Sequence, residues 1–83
     1  MKLIFLLVGV IVMKQIKLTA DYLTLTQLLK EEGIIGSGGQ AKFYLQEQPV
    51  TLNGQAENRR GKKLYQGDII KLSSGEVYEI VKA

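Results

Sequence analysis

Ser37-Gly38-Gly39-Gln40-Ala41-Lys42, followed after a short interval by Val50-Thr51-Leu52-Asn53-Gly54-Gln55-Ala56-Glu57, is the stretch that decides the fold. A serine with glutamine three residues later is the capping-box pattern that opens a helix. The helix runs to about Glu47 and puts Ala41, Tyr44 and Leu45 on one apolar face. Pro49, the sole proline, forbids its continuation. Asn53-Gly54 between two short runs then predicts a two-residue hairpin, because that dipeptide accepts the left-handed backbone such a turn requires.

Working toward the amino terminus, Thr24-Leu25-Thr26-Gln27 repeats the capping-box pattern and opens a first helix over Leu25–Glu32. Leu25, Leu28 and Leu29 form its core stripe, and Gly33 suits the left-handed residue just past its end. Before it, Gln15 to Thr19 alternates and predicts a strand with Ile16 and Leu18 on one face. Toward the carboxyl terminus, Gly67-Asp68 turns into a strand over Ile69–Leu72, and Ser73-Ser74-Gly75 turns again into Val77–Val81. The expected architecture is α+β: two short helices, arranged like a helix-turn-helix and joined by a glycine-rich corner, packed on a small antiparallel sheet.

The first dozen residues stand apart. Met1 to Val12 carries one charge, Lys2, and an almost unbroken apolar run that ends before Lys14. That run is shorter than the roughly 18 apolar residues of a membrane span. It reads as an upstream extension ahead of a start at Met13, with an export or membrane-associating segment and an extra strand as alternatives. The expected organisation is therefore an apolar extension over residues 1–13 and one domain over residues 14–83.

Composition narrows the chemistry. The 83 residues include no Cys and no His, which removes thiolate nucleophiles, thiolate metal sites and the commonest general base. Neither an enzyme nor a cofactor is expected. Gly36-x-Gly38-x-x-Ala41 matches the dinucleotide fingerprint formally, but a helix precedes it where a buried strand is needed. Glu31, Glu32 and Asp68 have no partner base and read as solvated surface charge. Tyr44 and Tyr78 fall on buried faces, whereas Tyr65 lies two residues from the basic run and is the ring placed for contact.

That basic run, Arg59-Arg60-Gly61-Lys62-Lys63, sets four cations in five positions, and Lys42 adds one on the second helix. The net charge of +3 is thus local: Ser37 to Lys63 holds these five cations against Glu47 and Glu57. Clustered cations on a structured domain without catalytic groups are the footprint of phosphate-backbone binding. The amino end of the second helix offers free amides and a favourable dipole to the same kind of anion, with glycines that permit close approach.

These motifs resemble the S4-type RNA-binding domain, the module named for the fourth protein of the small ribosomal subunit. The matching frame is Ser37-x-x-x-Ala41, Val50-x-Leu52-Asn53-Gly54 and Gly67-Asp68-Ile69-Ile70. More narrowly, Ser37 to Lys42 together with Asn58-Arg59-Arg60-Gly61-Lys62-Lys63-Leu64 resembles the stand-alone bacterial YaaA-like proteins. The resemblance implies docking on structured RNA, ribosomal or transfer RNA. A cytoplasmic protein is expected, associated with the ribosome rather than a membrane, with a monomer favoured over an oligomer. The resemblance implies contacts from Ser37, Gly38, Gly39, Gln40 and Lys42 on the second helix and from Arg59, Arg60, Lys62 and Lys63 beyond the hairpin. A protein-interaction module using the sheet edge near Tyr78, and a small membrane-associated protein using Met1 to Val12, are the competing classes. Five phosphate contacts would give a log–log salt slope of about −3.5 to −4.5.

Overall fold

The hydroxyl of Thr24 accepts the backbone N–H of Gln27, and the Gln27 carboxamide accepts the N–H of Thr24, so the first capping box closes as its sequence predicts. It opens helix α1, Leu25–Glu31. At the other end Gly33 adopts φ +72°, its N–H donates to the Lys30 carbonyl and the Ile34 N–H donates to that of Leu29. This is a Schellman stop, and it requires the left-handed backbone that glycine takes without strain. Helix α2, Gly38–Glu47, follows after a short corner and ends at Gln48, next to Pro49.

The computed structural model describes residues 13–83. The strands are β1 (Met13–Leu18), β2 (Leu23–Thr24), β3 (Val50–Leu52), β4 (Gln55–Glu57), β5 (Lys63–Leu64), β6 (Ile69–Lys71) and β7 (Val77–Lys82). Asn53 and Gly54, both at positive φ, turn β3 into β4 as expected. A five-stranded sheet has the order β1-β7-β6-β3-β4, and β2 pairs with β5 in a separate two-stranded ribbon.

The α+β class holds, with two differences in the sheet. The β1–β7 pair is parallel, with Ile16 opposite Ile80, so the sheet is mixed rather than wholly antiparallel. Parallel neighbours need a crossover, and here nearly the whole described chain lies between the two strands. The second difference concerns the strand that carries Tyr78, a residue buried as its pattern predicts but set beside a sheet edge in the competing protein-interaction reading. Tyr78 lies on β7, an interior strand between β1 and β6, and is 3% exposed. Its hydroxyl donates to Glu76 at 2.9 Å, and burial pushes its pKa up from the ordinary phenol value.

One core joins all layers. Leu25, Leu28 and Leu29 of α1 and Ala41 and Leu45 of α2 meet Ile16, Val50, Leu64, Ile70 and Ile80 from the strands. Residues 1–12, and with them the readings placed on that apolar run, lie outside the described residues. Among the described residues no helix is long and apolar enough to cross a membrane.

Candidate nucleic-acid interface

An α-helix leaves its first amides without partners inside the helix. In α1 all four are satisfied, two of them by the basic run itself. Besides the reciprocal Thr24–Gln27 pair, the Leu25 N–H donates to the Lys62 carbonyl at 2.9 Å and the Thr26 N–H to the Arg60 carbonyl at 3.0 Å. The Thr26 hydroxyl donates to the same Arg60 carbonyl at 2.7 Å. The ribbon continues the attachment, pairing Lys63 with Thr24 and the fully buried Leu64 with Leu23. The loop is thus clamped by its backbone while its side chains remain available. Arg60 and Lys63 are exposed and Lys62 is half-buried.

Thr26 also marks where the second cluster joins. A Cβ placed on Gly38 would lie 3.8 Å from the Thr26 methyl, so the amino end of α2 packs directly against the residue that holds Arg60. Lys42 follows Gly38 by four residues and therefore lies on the same side of α2. Gly38 and the Arg60 end of the basic loop thus meet at one threonine, and Lys42 lies on the Gly38 side of α2.

At two points of the site the structure shows partners that the sequence did not predict. The second capping box does not close: Ser37 makes no side-chain cap, and the Gln40 carboxamide accepts the Gly36 N–H at 2.6 Å instead. Gln40 reaches the amide one residue upstream of its expected partner, which ties it to the corner. Among the described residues no acceptor meets the amides of Gly38 and Gly39, and the Ser37 hydroxyl is likewise uncommitted. Arg59 is the other case. Its guanidinium grips both carboxylate oxygens of Glu57 at 2.9 and 3.0 Å, and its own N–H donates to Glu57 at 3.0 Å. The Arg59 side chain beside it, opposed by burial and assisted by the Arg59 amide and Lys62, holds the Glu57 carboxyl down at about 2. At neutral pH the pair is therefore fully ionised and mutually neutralised.

Sequence reasoning missed four residues. Thr26 and Tyr22 act through long-range contacts that leave no local signal. Glu57, two positions before Arg59, could have been found from its spacing, since alternate residues at a strand end share a side. Phe43, next to Lys42, points away from the core and is 67% exposed. Asp68, read as solvated charge, instead accepts the Tyr65 N–H at 2.8 Å and the Asn53 side-chain amide at 3.0 Å, fastening the hairpin turn to the segment after the basic loop. Glu32, read the same way, pairs with Lys14 at 2.8 Å.

The sequence model of the S4 domain family matches residues 16–81, almost the whole described chain. The chain belongs to the S4 domain family. The paired helices, the hairpin and the basic loop of this S4 domain all lie within the matched residues. It is similar to a Bacillus subtilis (strain 168) protein described as "Probable ribosome maturation protein RlbA", with 39% identity over 66 residues, 80% of this chain and 93% of the relative.

Proposed function

We propose that this S4-domain protein is a non-catalytic, cytoplasmic RNA-binding protein that recognises structured ribosomal RNA during ribosome maturation. The observation that carries the reading is the junction at Thr26, which sets the open amino end of α2 beside a loop whose cations are presented by backbone clamping. The name of the Bacillus subtilis relative supports the process.

In this reading Arg60, Lys62, Lys63 and Lys42 neutralise backbone phosphates. The amides of Gly38 and Gly39 and the Ser37 hydroxyl bind one phosphate oxygen directly. Gln40 contributes through the corner it rigidifies, with its remaining amide N–H groups free to donate. Recognition is by shape and phosphate position, as double-stranded RNA requires, because its deep major groove hides the base edges. Arg59, neutralised by Glu57, contributes less than the other four.

Ultraviolet crosslinking of the full chain in living cells tests the proposal. Recovery of ribosomal RNA on peptides spanning residues 37–42 and 59–65 is the expected result. Recovery of crosslinked protein without RNA would assign the basic loop to an acidic protein partner instead.

A further inference from the structure

The basic loop is bordered by two half-exposed aromatic rings that neither the core nor phosphate binding explains. Tyr22 and Tyr65 are 39% and 49% exposed. Their ring centroids lie 5.9 Å apart with planes tilted by 51°, and the Lys63 ammonium sits 4.8 Å above the Tyr22 ring. That arrangement divides the work between the rings. One face of Tyr22 is occupied by the cation, so Tyr22 braces Tyr65 at an angle and keeps Lys63 in place.

Among the described residues no cation sits over the Tyr65 ring. Tyr65 borders a shallow depression of about 430 Å³ whose other walls are Arg59, Gly61, Lys62 and Lys63. Gly61 adds no side chain to its lining, and a Cβ there would meet nothing within 4 Å. The Tyr65 backbone is fixed as well: its N–H donates to Asp68, and its carbonyl accepts the Asp68 N–H at 3.0 Å. A ring held this way loses little freedom when it is covered by a ligand.

We infer that Tyr65 is a stacking platform for one unpaired nucleobase, whose flanking phosphates are taken by Lys62 and Lys63. The inference rests on the RNA-binding reading above and adds a requirement to it: the bound RNA carries an extruded or single-stranded nucleotide next to its helical part. A base inside a duplex is covered on both faces by its neighbours, so only an unstacked base offers a face to a tyrosine. The carboxylates of an acidic peptide would satisfy the lysines but offer no aromatic face to the ring.

The test compares a blunt-ended RNA duplex with the same duplex carrying a short unpaired tail of mixed sequence. The full chain is expected to bind the tailed RNA roughly 5- to 150-fold more tightly, the range that stacking of one base supplies. Tyr65→Ala should abolish that difference without changing the salt slope of binding, because stacking releases no counterions. Tyr65→Phe should retain it. Equal affinity of the unaltered chain for the two RNAs, or a preference that survives Tyr65→Ala, would overturn the platform and leave the RNA-binding reading standing. Failure to bind either RNA at low salt would overturn both.

Discussion

Arg60→Ala/Lys62→Ala should bind ribosomal RNA roughly 25- to 60-fold more weakly at about 0.1 M salt, with the log–log salt slope shallower by about 1.4 to 1.8. Both figures follow from losing two phosphate contacts, each worth about 0.7 to 0.9 in slope. The fold should survive, because these residues clamp α1 through their carbonyls, which alanine also possesses. Glu57→Gln/Arg59→Gln is the internal comparison. It removes a matched pair of charges together, so it should change RNA affinity less than losing either neighbouring cation does. Filter binding or fluorescence anisotropy across a salt series measures both variants.

Leu64→Ala should strongly destabilise the fold. Leu64 is fully buried, and it is the residue through which the end of the basic loop enters the core. Truncating a buried leucine costs about 2 to 5 kcal/mol, the transfer term plus the cavity left behind. A domain this small is stable by only about 4 to 12 kcal/mol. The melting temperature should therefore fall by roughly 10 to 30 °C, and the variant should sit near its unfolding threshold at physiological temperature. Phe43→Ala, on the outward face of α2, should leave the melting temperature within a few degrees of the unaltered chain. Thermal denaturation followed by circular dichroism separates the two, and a Leu64→Ala melting point equal to that of Phe43→Ala would show that the loop is not anchored where the core places it.

Local chemistry was legible in the sequence, and long-range chemistry was not. Thr24, Gln27 and Gly33 specify both ends of α1 because each acts on amides and carbonyls within one turn. Asn53-Gly54 specifies its hairpin for the same reason. Ser37 to Gln40 repeats the spacing of the first capping box, yet the carboxamide meets Gly36. Spacing brings a side chain near two amides without deciding which one it takes. The parallel β1–β7 pair joins the two ends of the described chain, and no pattern in either strand announces it.

The site divides along the same line. The basic run and the glycine-rich helix start stood out as composition, and their presence together suggested an anionic partner. What joins them is Thr26, a residue with no functional signature of its own, bonding a carbonyl 34 positions away. Tyr22 likewise matters only because β2 and β5 pair and bring Lys63 over its ring. The ion pair that neutralises Arg59 was the one tertiary feature within reach of inspection, since Glu57 and Arg59 are near neighbours in sequence.

That pair also sharpens the measurement that bears most directly on the account, the salt dependence of the full chain's affinity for ribosomal RNA. With Lys42, Arg60, Lys62 and Lys63 on phosphate and Arg59 held by Glu57, the log–log slope should be about −2.8 to −3.6. A slope near zero would contradict phosphate recognition by this face altogether.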